Sequence, residues 1–129
     1  MNMDLNLGLS AHLGIKFLEA TPGRVLAELE IRGELATLGG AIHGGTLMAL
    51  ADTAGAVGTL AFLEKNPAAG KGTATIESKT NFFAPARQGK VRAESMPLHQ
   101  GRRTHVWQTR VTDESGKLLS LTIQTQMIL

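Results

Sequence analysis

Between Glu34 and Glu64 the sequence carries a single formal charge, Asp52, set in the apolar run "AIHGGTLMALADTAGAVGTL" of residues 41–60. A carboxylate among Ala, Gly and Leu cannot stay unpartnered, because removing it from water without compensation is costly. It must be hydrogen-bonded by a neighbouring strand, hold a proton, or face a wet cavity. In the last case it can attack an activated carbonyl or take a proton from water. The His43-Gly44-Gly45 triplet upstream supplies the complement. Gly44 and Gly45 fall where a helix begins, so their N–H groups lack intrahelical acceptors and, with the helix dipole, can receive an oxyanion. Without a side chain, Gly44 lets a carbonyl approach the backbone closely. The plainer alternatives are an acid tied to a strand or an interface, and a tight loop-to-helix entry.

Helix geometry constrains the two groups. Eight residues separate Gly44 from Asp52, about 12 Å along the axis at the helical rise. A reacting carbon must lie within about 3–3.5 Å of its nucleophile, with the oxyanion donor on the same carbonyl, so one chain cannot supply both. Two such helices packed antiparallel would bring Asp52 of one against Gly44 of the other. A catalytic reading therefore predicts at least a dimer, and an Ala- and Gly-rich helix suits the close approach.

The elements that must hold these residues follow from periodicity. From Gly44 to Leu63, Leu47, Leu50 or Ala51, Ala54, Val57 or Gly58, and Ala61 recur at helical spacing. The helix is apolar on nearly all sides, so it is expected to be central and enclosed. Asn66-Pro67 ends it. Residues 2–11 suggest a short helix. Residues 13–32 read as a hairpin turning at Thr21-Pro22-Gly23, with Val25, Ala27, Leu29 and Ile31 alternating. After the helix, residues 73–84 alternate, with Ile76, Ser78, Thr80 and Phe82 on one face and Glu77, Lys79 and Asn81 on the other. Strands follow over 90–99, 103–112 and 117–128, the last two joined by a turn at Asp113–Gly116. Strand, strand, long helix, four strands: an α+β antiparallel sheet curled around one helix buries both kinds of element.

The 129 residues suit one domain spanning 1–129. With no cysteine there is no thiol nucleophile, disulfide framework or cysteine metal site, as a reducing cytoplasm allows. A net charge of +2 gives little basic field for nucleic acid. No basic and then apolar leader opens the chain, and Asp52 with three threonines and three glycines in 45–63 argues against a membrane span. The stretch "AAGKGTAT" lacks the spacing of a phosphate-binding loop. There is no Gly-x-Ser-x-Gly elbow, no metal-ligand cluster and no Asp-x-x-x-x-His.

The stretch "IHGGTLMALADTAGAVGTL" resembles the signature of the hotdog-fold acyl-CoA thioesterases, in the branch of phenylacetate-pathway and 4-hydroxybenzoyl-CoA thioesterases. "NFFAPARQGKV", "HQGRRT" and "DESGKLLS" extend the likeness over most of the chain. The resemblance implies a six-stranded antiparallel sheet wrapped around one long central helix, and homodimers that pair into tetramers. It implies Asp52 as nucleophile or general base, the Gly44 amide (beside Gly45) as polariser of the thioester carbonyl, and His43 as shaper of that loop. Thr75 takes the place of a hydroxyl residue that orients water. Thr37 stands where many members carry an Asn that assists the carbonyl. The turn Gly101-Arg102-Arg103-Thr104 coincides with a loop contacting coenzyme A, whose phosphates need positive charge. Phe82 and Phe83 are candidates to line the acyl or pantetheine channel. His105 and Trp107, in phase on one strand, read as packing; His12 and His99 carry no assignment. No metal or cofactor is implied, coenzyme A being part of the substrate. Two other readings compete with an acyl-CoA hydrolase: a non-catalytic acyl-CoA-binding protein, and an assembly subunit whose Asp52 joins an interface hydrogen bond.

Overall fold

The alternating Val25, Ala27 and Leu29 point inward from β2 (Arg24–Glu30), which pairs antiparallel with β1 (Lys16–Thr21) across a turn at Pro22-Gly23. The structure, a computed structural model, describes residues 3–129. The first helix, α1, covers Gly8–Leu13 rather than residues 2–11, of which residue 2 lies outside the described residues. Its start is delayed because the Asn6 N–H donates to Asp4 Oδ1, a local turn that competes with helix.

A loop containing a 3-10 turn at Gly33–Leu35 leads into α2 (Gly44–Lys65), as the periodicity predicts. Next come β3 (Thr73–Phe82), β4 (Lys90–Gln100), β5 (Thr104–Thr112) and β6 (Leu118–Ile128). The sheet runs β1-β2-β4-β5-β6-β3, every neighbour antiparallel. Because β3 pairs at the far edge with β6, the sheet curls around α2, and the helix contacts all six strands. This is the hotdog architecture. Length and composition would let α2 cross a membrane, but most of its most apolar stretch is buried against the sheet.

Two departures from simple alternation shape the site. In β3, Thr75 lies opposite Gln126 and Glu77 opposite Thr125, so Ile76 is an extra residue, a bulge of the kind edge strands favour. Ile76 is exposed instead of facing inward, Phe82 at the strand end is exposed too, and Thr75 turns to the concave face. In β6 the buried phase is Ser120, Thr122, Gln124, Gln126 and Ile128, while Leu121, Ile123 and Met127 face outward. The concave face over α2 is therefore markedly polar.

Trp107 and His105 are fully buried, as packing predicts. Thr59 Oγ1 accepts from Trp107 Nε1 at 2.9 Å and is hydrogen-bonded to His105 Nδ1 at 3.0 Å. Trp107 lies flat against Gly58, where a Cβ would fall 2.3 Å from the indole. Ala in place of Gly favours a helix interior by roughly 1 kcal/mol, but overpacking costs about 1–3 kcal/mol. Since Trp107 is pinned by Thr59, the clash wins. Gly58→Ala is expected to lower the thermal midpoint in calorimetry; a rise would show that the indole yields.

Burial, reinforced by the charge of His99, holds His105 below the usual imidazole range, and its Nε2 has no partner among the described residues. The unfolded chain then binds a proton more readily than the native one below about pH 6.5. Stability contributed by neutral His105 is thus full above that pH and is lost as pH falls toward the folded value. Thermal midpoints between pH 7.5 and 5.5 should decline in the wild type and flatten in His105→Gln. Parallel slopes would contradict this.

Candidate active site

Asp52 occupies a stripe of α2 that the sheet leaves open, with Gly45 and Met48 exposed and Ala49, Asp52, Thr53 and Ala56 half-buried. The helix is therefore not enclosed on nearly all sides: the single sheet curls only part of the way around it. Along this stripe Asp52 finds its partners on one side only. Oδ1 accepts from Thr75 Oγ1 at 2.6 Å and from Gln124 Nε2 at 3.2 Å. Among the described residues no donor reaches Oδ2. One oxygen of the carboxylate is anchored and the other is open.

Two further residues extend the anchor. Gln126 Oε1 lies 2.5 Å from Thr75 Oγ1 and accepts from Gln124 Nε2 at 2.8 Å, while Gln126 Nε2 donates to Thr73 Oγ1 at 3.0 Å. Sequence reasoning missed both glutamines. Their signal was the run of alternating polar residues Ser120, Thr122, Gln124 and Gln126 in a strand otherwise rich in Leu, Ile and Met.

The helix start is built separately. His43 is the N-cap, extended at φ −66° and ψ 136°, and its Nδ1 accepts the Gly45 N–H at 2.7 Å. An accepting Nδ1 means neutral imidazole with its proton on Nε2. Of the two glycine amides expected to be open, Gly45 is thus engaged, and only the Gly44 N–H has no acceptor among the described residues. Phe82 covers Gly44, its Cζ 3.1 Å from where a Cβ would stand. Around them lies an apolar pocket of about 370 Å³ lined by Ile42, Gly44, Leu47, Phe82, Phe83 and Pro85, among others.

The remaining expected residues sort to one end or the other. Thr37 is exposed in a turn closed by its own N–H to the Ala41 carbonyl, and its hydroxyl makes no hydrogen bond to Gly44 or Asp52. Gly101, Arg102, Arg103 and Thr104 form the β4–β5 turn, with the Gly101 N–H donating to the Thr104 carbonyl at 2.9 Å and both arginines exposed. That turn adjoins the end of β6, since the Arg103 carbonyl accepts from the Ile128 N–H, and so sits on the Thr75 side. Within one protomer, His43, Gly44, Gly45 and Phe82 form one group, and Asp52 with Thr75 another, flanked by the Arg102-Arg103 turn. Two larger open grooves, one at residues 3–6 and 14–17 and one at the C-terminal end of α2, contain none of Asp52, Thr75 and Gly44.

The family profile described as "Thioesterase superfamily" matches residues 39–120, more than half of the chain. The proofreading thioesterase EntH of Klebsiella pneumoniae is 34% identical over 107 residues, 83% of this chain and 75% of that protein. The 1,4-dihydroxy-2-naphthoyl-CoA hydrolase of Escherichia coli is 33% identical over 119 residues, 92% of this chain and 79% of its own. Among solved structures, the thioesterase HI1161 of Haemophilus influenzae superposes with a TM-score of 0.88 at 26% identity, covering 100% of this chain and 92% of that one.

Proposed function

This chain belongs to the thioesterase superfamily, and we propose that it hydrolyses acyl- or aryl-CoA thioesters at sites shared between two protomers. One observation carries the reading. Asp52 presents on the open stripe of α2 an Oδ2 that is unpaired among the described residues, while the Gly44 amide, equally unpaired among them, lies at the start of the same helix, too far along the axis to serve the same carbonyl. Antiparallel pairing of two open stripes brings each acid to the other chain's amide.

In that arrangement the Gly44 N–H polarises the thioester carbonyl and holds the oxyanion. Asp52 Oδ2 acts by one of two routes. As a general base it takes a proton from water as the water oxygen adds to the carbonyl; the C–S bond then breaks and the thiolate leaves with a proton. As a nucleophile it forms an acyl-aspartyl anhydride with loss of the thiolate, and water then releases the acid. Thr75 serves either route by holding Oδ1; its one proton is already committed to Asp52 or Gln126, so it can orient a water only as an acceptor. Arg102 and Arg103 meet the phosphates of coenzyme A.

The pocket beside Gly44 carries no charged side chain, which favours an uncharged acyl or aryl group, phenylacetyl-like in size, over a dicarboxylate. An E. coli relative named for a naphthoyl-CoA substrate agrees with the aryl option. The outward apolar residues of the sheet, among them Met96, Leu98, Val106 and Ile123, suit a second pairing of dimers into a tetramer. We assign the enzyme to the cytoplasm, which a cysteine-free chain permits.

Thiol release from a panel of acyl- and aryl-CoAs, read alongside sedimentation, tests the proposal. Turnover by a dimer or tetramer is expected. A strictly monomeric protein, or CoA-ester binding with no thiol release above background, would favour the non-catalytic alternative.

A further inference from the structure

Taking the functional reading of Asp52 as its basis, we infer that Gln124 and Gln126 are positioning residues that fix the carboxylate and select Oδ2 as the reacting oxygen. Both are fully buried on the concave face of β6, so neither touches a substrate. Gln124 Nε2 lies 3.2 Å from the Asp52 carbonyl, 3.2 Å from Asp52 Oδ1 and 2.8 Å from Gln126 Oε1. Three acceptors around one nitrogen fix the amide: turned over, it would set oxygen against the carboxylate. That orientation leaves Gln124 Oε1 buried without a partner among the described residues, an unmet acceptor that packing alone would not select. The helix makes room for it. At Gly55, three residues after Asp52, a Cβ would stand 2.6 Å from Gln124 Cδ and Oε1 and 2.8 Å from Nε2. Glycine weakens a helix interior, so its presence here marks the space the amide needs.

Gln126 does for Thr75 what Gln124 does for Asp52. The single Thr75 proton stands between Asp52 Oδ1 at 2.6 Å and Gln126 Oε1 at 2.5 Å and can serve one at a time. Gln126 Oε1 on the far side of the hydroxyl keeps Thr75 Oγ1 within reach of Oδ1. The bond from Gln126 Nε2 to Thr73 keeps Oε1 facing that hydroxyl.

Gln124→Met keeps the volume and deletes the donor. It is expected to lower kcat by about 10²-fold, the scale of a small misplacement of a reacting group. KM should stay near the wild-type value. Gly55→Ala, by pushing the same amide aside, should reproduce both effects, and the double variant should be little worse than either single. A lower melting temperature with kcat unmoved would overturn the inference, since that is what a purely structural role produces. One readout needs neither turnover nor a variant of Gln124: its side-chain amide resonances in the wild-type protein should shift as pH passes through the carboxylate range, and lie flat in Asp52→Asn. Resonances indifferent to Asp52 would also overturn the inference. Resonances that track Asp52 in a protein hydrolysing no thioester would support the positioning while ending the thioesterase reading.

Discussion

Asp52→Asn is expected to lower thioester turnover by about 10³-fold or more, the loss typical when a nucleophile or general base is deleted, while CoA-ester binding and assembly persist. The asymmetry of the carboxylate makes this substitution clean. Asparagine retains an oxygen that can accept from Thr75 and Gln124, so the buried side of the network stays satisfied. Only the open Oδ2 is replaced, by an amide nitrogen that is neither base nor nucleophile. A loss of that size corresponds to about 4 kcal/mol of transition-state stabilisation, well beyond what a single rearranged hydrogen bond supplies. Thiol release gives the rate, calorimetric titration with a CoA ester gives binding, and sedimentation gives assembly. Turnover within tenfold of wild type would remove Asp52 from the chemistry. Weakened assembly together with absent ligand binding would instead identify it as an interface hydrogen bond.

Gly44→Pro should cost about 10²–10³-fold in kcat, the scale of one lost oxyanion donor, and should do so without unravelling α2. Proline is ordinarily the wrong residue to test a helix, but Gly44 is the first helical position after the His43 cap, where an N–H has no intrahelical partner and proline is favoured. His43 already has the extended backbone that a following proline requires. The ring must displace Phe82, whose half-exposed side chain can move. The more decisive result comes from mixing. Co-refolding Asp52→Asn with Gly44→Pro protomers should restore about a quarter of wild-type activity, since half of randomly formed two-fold dimers are mixed and each has one intact site. Acid and amide working within one chain, or through separate chemistries, would leave the mixture as inactive as its components.

Much of this site is legible in the sequence because it is local. A lone acid in an apolar helical run, a His-Gly-Gly at the helix start and the helical rise between them are fixed by spacing along one element. They determine, without any fold, that Asp52 and Gly44 of one chain cannot reach the same carbon. Strand count and the central helix are equally local, coming from turn residues and the change of period. Which strand atoms meet Asp52 is not local. Alternation along β3 assigns Thr75 to the face of Glu77, and only pairing with β6, which places the bulge at Ile76, turns its hydroxyl toward the acid. In β6 the sequence offers an apolar phase and a polar phase, and by hydrophobicity alone Leu121, Ile123 and Met127 would face the helix. The tertiary structure selects the opposite phase: Gln124 and Gln126 bond to Asp52, Thr73, Thr75 and each other, so their burial is compensated at every side-chain polar atom but Gln124 Oε1. A strand's two faces differ by one residue of register, and register is set by its neighbours.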